Sequence, residues 1–131
     1  MFKGIMISRV SWCGALMFLL LSFQAALAQE VVTGTEVVCS SGKQAERYID
    51  LFHGDEEETV TEVNTEAESD DTCRFISIAY LRGKDVAKAV TKEGTFVIAR
   101  VLIVGFVTPK GVHGVPHFVQ FTVFKIDERT A

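Results

Sequence analysis

Between Cys39 and Cys73 the apolar residues recur every three or four positions, and after Cys73 they recur at every second one. The first spacing is that of a helix with one buried stripe, the second that of a strand with alternating faces. Ala45, Tyr48, Ile49 and Phe52 form the first stripe. Ser41 and Gln44 precede it in the S-x-x-Q pattern of a helix start, and His53-Gly54 closes it. Asp55 and Glu58 repeat the start signal, and Glu56, Glu57 and Glu58 suit the positive end of a helix dipole. Val60, Val63 and Ala67 give this second helix only a thin apolar stripe, so it should lie on the surface.

Val31 to Val38 is β-branched and predicts an edge strand leading into Cys39. Beyond Cys73, Arg74 to Arg82 predicts a strand, Gly83 to Asp85 a turn, and Val86 to Thr91 a weaker strand. Thr95 to Val107 (TFVIARVLIVGFV) carries the strongest strand signal and should be central. Pro109 to Pro116 predicts a loop and His117 to Ile126 the last strand. The fold class that follows is α+β: two short helices packed on a curled, mainly antiparallel sheet of four to five strands.

The central strand is apolar on both sides. Phe96, Ile98, Leu102, Val104 and Phe106 share one face, and Val97, Ala99, Val101, Ile103 and Val107 the other. In the last strand Val119, Phe121 and Val123 likewise oppose Phe118, Phe124 and Ile126. Two helices can cover only one side of such a sheet. Either the sheet curls over itself, with Gly105 as a site for the bulge this needs, or a second chain covers the remaining face. In the second case Val101, Ile103, Val119, Phe121 and Val123 are the candidate interface.

The first 28 residues change the picture by giving an address. Lys3 and Arg9, then the apolar run Val10 to Phe23, then Ala26-Leu27-Ala28 follow the order of a secretory signal, predicting cleavage between Ala28 and Gln29. The run falls short of the roughly 20 residues that span a bilayer. Residues 29–131 then form one small domain, with no membrane contact after cleavage. Cys13 leaves with the leader, and Cys39 and Cys73 remain as an even pair, predicting one disulfide in a secreted or periplasmic protein.

Without the leader, 11 bases face 17 acids, a net charge of −6, which excludes a nucleic-acid backbone as partner. The charge is segregated. Asp55 to Asp71 holds nine acids and no base, whereas Thr72 to Ala131 holds nine bases and four acids. Catalytic patterns are missing: there is no G-x-S-x-G, no cysteine outside the pair and no glycine-rich phosphate loop. His113 and His117 lack the third ligand a zinc site needs, and Asp70-Asp71 lacks the spacing of a calcium loop, so no metal or other cofactor is expected. Arg100 interrupts the central apolar strand. A buried arginine needs a carboxylate or a ligand, and one near an edge reaches water instead.

Cys39, Gln44-Ala45-Glu46-Arg47, Leu51-Phe52, Val63-Asn64, Glu66-Ala67, Cys73 and Arg82-Gly83 together give a chain that resembles short exported bacterial proteins of unknown function. The resemblance implies no activity and no site residues. The function expected from the residues is that of an exported non-enzymatic module that binds a protein partner or a second copy of itself. The alternative is a carrier of a small apolar ligand held by a partly closed sheet near Arg100.

Overall fold

The computed structural model describes residues 30–126. The predicted cleavage point at Ala28 and Gln29 lies outside them. The elements are β1 (Val32–Cys39), α1 (Gly42–Leu51), α2 (Glu56–Glu66), β2 (Cys73–Thr91), β3 (Gly94–Thr108) and β4 (Gly111–Ile126). The two-sided apolar pattern of β3 sets their arrangement. β2, β3 and β4 form an antiparallel meander, and β1 pairs antiparallel with β2 along its whole length. β1 also meets β4, at Val37, Val38 and Cys39 against Val123, Thr122 and Phe121, and this closes the sheet into a small barrel.

Each face of the sheet has its own core. On the helix side Val37, Phe96, Ile98 and Val123 pack with Ala45, Tyr48, Ile49, Val60 and Val63 from the helices. Phe52 joins them, stacked on Tyr48 at 5.7 Å between centroids and edge-on to Phe96 at 5.5 Å. On the inner side Val38, Ile78, Tyr80, Val101 and Ile103 pack against one another. Val101 and Ile103 are 1% and 0% exposed, so the sheet covers its second face by curling onto it.

The helices start where their side chains satisfy free backbone donors. Ser41 Oγ accepts from the Gln44 amide at 3.2 Å, and Asp55 Oδ1 from the Glu58 amide at 3.0 Å. In α1 the buried residues are Ala45, Tyr48 and Ile49, as the periodicity predicts. In α2 Thr59 is buried beside Val60 and Val63, which a hydrophobic pattern does not anticipate. Its hydroxyl donates to the Asp55 carbonyl at 2.7 Å, so the polar atom is satisfied within the helix.

Cys39 and Cys73 are register partners and form the expected disulfide, both fully buried. The bridge ties the two ends of the helical excursion, a sequence separation of 34. Closing a loop of this size is worth about 3.8 kcal/mol in the chain-entropy model. Asn64 reinforces the point. Its Oδ1 accepts from the Cys73 amide at 2.8 Å and its Nδ2 donates to the Cys73 carbonyl at 3.0 Å, so α2 is clamped to the first residue of β2.

Two expectations about strand boundaries are corrected. The predicted turn at Gly83 to Asp85 is a pair of register shifts inside one long strand. A Cβ on Gly83 would lie 2.8 Å from the Arg100 carbonyl oxygen, so glycine is there for close backbone approach rather than for reversal. The predicted loop at Pro109 to Pro116 is a tight turn at Thr108 to Gly111, where Gly111 has φ +118°, followed at once by β4. Pro116 falls in the register shift between Ile103 and Gly105 of β3, where the ladder needs no amide from it. The expected irregularity at Gly105 is present in that shift.

Val101→Asp places an unpaired carboxylate in the inner core and is expected to unfold the domain in circular dichroism, with no gain of soluble monomer. Cys39→Ser and Cys73→Ser are expected to lower stability equally, by up to about 4 kcal/mol. The double variant should be no worse than either, since one bridge is lost in all three. Chemical unfolding of the three variants measures this.

Candidate functional site at the mouth of the barrel

The barrel is shut at one level only, and beyond the three β1–β4 pairs the strands part. The register of β1 against β2 sets Val38 opposite Arg74, and that of β3 against β4 sets Ile103 opposite Phe118. Between them lies a cavity of ≈ 310 Å³. Its apolar wall is Val38, Ile76, Ile103, Phe106 and Phe118, and its polar rim is Ser40, Ser69, Asp71, Thr72, Arg74 and Gln120. Phe106 and Phe118 face each other with centroids 6.5 Å apart. A wider hollow of ≈ 390 Å³ beside the helices is lined by charged and polar residues with Ala67 at its margin, so its apolar surface comes mainly from the stems of long side chains such as Lys43 and Arg47.

The rim is built by the loop from α2 to β2, which carries the end of the acidic segment. Arg74 Nη2 lies 3.4 Å from Asp71 Oδ2, and both side chains are more than half exposed. Such a pair is worth at most about 1 kcal/mol, so the guanidinium is available to a better acceptor. Ser69 Oγ donates to Asp71 Oδ1 at 2.8 Å and holds the carboxylate in place. Gln120 Nε2 donates to the Val119 carbonyl at 3.0 Å, leaving its amide oxygen free to accept. The mouth therefore combines apolar contact with one cation, the Asp71 carboxylate loosely paired with it, and several neutral hydrogen-bonding groups.

Farther along β2, on the same face as the inner core, a second cluster forms around Tyr80 and Arg82. The Arg82 guanidinium sits 4.1 Å from the centre of the Phe124 ring and pairs with Asp85 at 3.2 Å. Tyr80 packs beside Phe124 at 6.2 Å. Burial pushes the Glu36 carboxyl above its ordinary value of 4.5, with the charge of Arg82 opposing the shift. The Tyr80 phenol is also raised, by burial first and then by Glu36.

The residues predicted from sequence do not gather at one place. Arg100 does not line the mouth. It is exposed on the helix-side face of β3, opposite Phe121, and reaches water from there. Of the candidate interface residues, Val101 and Ile103 are buried in the inner core. Val123 belongs to the helix-side core, Phe121 packs half-buried against it, and Val119 is 45% exposed. The register places Val119, Phe121 and Val123 opposite Leu102, Arg100 and Ile98, so the five residues occupy two faces. His113 and His117 are both exposed on β4. Arg74, Phe118 and Gln120 were not singled out from the sequence. Their signal is parity, since Arg74 alternates in step with Ile76 and Ile78 and so shares their face, which the strand pairing turns inward.

No helix among the described residues is long and apolar enough to cross a membrane, and the disulfide is compatible with an oxidising compartment.

Glu36 yields a test of the barrel interior. Its folded pKa lies above the unfolded value, so the native state holds the proton more tightly. Stability from this group is therefore lost as pH rises from about 4.5 through the raised value, and is level above it. Glu36→Gln should remove that slope and be at least as stable as the parent at pH 7. Unfolding free energies across this window check the expectation, and parallel pH profiles would refute it.

No protein-family model matches the chain, and no curated protein and no solved structure matches it either.

Proposed function

We propose that this chain is an exported, non-enzymatic binding module whose barrel mouth holds a small amphipathic molecule. The observation that carries the reading is the ≈ 310 Å³ cavity with an apolar wall and a polar rim. Ligand pockets measure roughly 300–1,000 Å³ and favour barrel mouths, with a few polar groups set in an apolar lining. The apolar body of the ligand lies on Ile76, Ile103, Phe106 and Phe118, and its polar or anionic head meets Arg74 and Gln120. Export to the periplasm or the outside is supported by the leader-like residues 1–28 and by the buried Cys39–Cys73 bridge.

A second reading, a protein partner or a second copy of this chain, is favoured by one specific observation. Gly111 to Gln120 of β4 have no second neighbouring strand among the described residues, and Val112, Phe118 and Val119 there are 57%, 38% and 45% exposed. An edge of that kind can accept another strand.

Titration with 1-anilinonaphthalene-8-sulfonate, an apolar ring system bearing an anionic head, tests the first reading. Saturable binding of one probe per folded chain is expected, weakened at least about tenfold, or ~1.4 kcal/mol, in Arg74→Glu and in Phe118→Asp. Both residues are exposed enough for the variants to fold. Absence of saturable binding, or equal affinity in both variants, would remove it. A fall in mass by light scattering in Phe118→Asp, with probe affinity unchanged, selects the second reading.

A further inference from the structure

We propose that His53, Glu58 and Glu62 form a surface site for a divalent transition-metal ion of the zinc type. The three side chains come from the α1–α2 connection and the first two turns of α2. Gly54, at φ +109°, reverses the chain after α1, and Asp55 caps α2 by accepting from the Glu58 amide. That short, braced connection holds the His53 imidazole over the start of the helix. Glu58 and Glu62 are four residues apart and therefore lie one above the other on the same face.

The geometry is that of a ligand set. One nitrogen from His53 and one oxygen from each glutamate all lie within 4.8 Å of one another. A zinc-type ion bonds such atoms at about 2.0–2.2 Å, which needs ligand atoms some 3.3–3.6 Å apart. His53 Nε2 and Glu58 Oε1 are already at 3.5 Å. Glu62 closes the set by a rotamer adjustment of about 1 Å, available to a half-exposed side chain.

The tautomer is arranged for it as well. His53 Nδ1 is 3.1 Å from the Leu51 carbonyl oxygen, to which it donates. The lone pair is thereby left on Nε2, the atom that faces the carboxylates. A carbonyl behind the imidazole is the usual outer support of a metal-bound histidine. A neutral imidazole with two carboxylates cancels the charge of a divalent ion. The surrounding Asp55 to Asp71 segment, with nine acids and no base, attracts cations to it. The nitrogen ligand favours zinc-type ions over calcium or magnesium, which take oxygen sets. With three protein ligands and an exposed position, a water completes the coordination. Without metal the same atoms make an imidazolium–carboxylate pair, and the two states compete for the Nε2 lone pair.

Isothermal titration of the disulfide-linked protein with zinc chloride decides between them. One saturable site per chain is expected, unchanged in the His113→Asn/His117→Asn double variant, which removes the other imidazoles on β4. In His53→Ala and in Glu62→Gln the affinity should fall at least about tenfold, since even outer-shell changes cost roughly 10–100-fold. Circular dichroism verifies that these surface variants remain folded. No saturable site in the parent, or the same affinity in both variants, overturns the proposal. So does loss of the site in the β4 double variant, which would locate the ion elsewhere.

Discussion

β3 cannot leave either of its faces in water. Phe96 and Ile98 project to one side and Val101 and Ile103 to the other, all almost fully buried. At roughly 1.5–3 kcal/mol for each such side chain, exposing one face would offset most of the stability of a domain this size. Two short helices can shield one face, and the strands themselves must shield the other. The curl of the sheet, its register shifts and its closure at three β1–β4 pairs follow from that demand.

The helices are held on their face by covalent and polar ties as much as by their narrow apolar stripes. α2 contributes little apolar surface, and on hydrophobic grounds alone it would be weakly attached. The Cys39–Cys73 bridge fixes where the excursion leaves and rejoins the sheet, and Asn64 makes a two-way bond with the Cys73 backbone. Arg47 and Glu66 add a forked ion pair between the helices at 2.7 and 2.8 Å. That pair is exposed and screened by water, so it orients more than it stabilises. The acidic surface of α2 is thus carried by a helix whose position is set from its ends. This leaves its outer face free of packing duties and available for ions.

Closure at one level also explains why the interior is uneven. Beyond the β1–β4 pairs the strands diverge, and side chains that would meet across a complete barrel line an open mouth instead. Farther along β2, Tyr80 packs beside Phe124, Arg82 lies over the same ring, and the partly buried Glu36 carboxyl is raised.

Much of the fold is legible in the residues alone, because it depends on local rules. The helix starts at Ser41 and Asp55, the stripe Ala45–Tyr48–Ile49, the strand character of β3 and the pairing of two cysteines each follow from spacing within a few residues or from simple counting. The α+β class follows from their order. Long-range register was not legible, and it governs the rest. Gly83 and Pro116 carry strong turn signals, yet each sits in a register shift inside a continuous strand, because the partner strand supplies what the local sequence withholds. Arg100 and Arg74 are both arginines in apolar strands. Only the pairing of β1 with β2 and of β3 with β4 sends the second to the barrel mouth and the first to water. The apolar pattern alone groups Val101 and Val119 in one candidate interface, and a register in which Leu102 opposes Val119 puts them on different faces. Alternation specifies that a strand has two faces. Which face turns inward is decided by its partners, and those are chosen by the closed sheet as a whole.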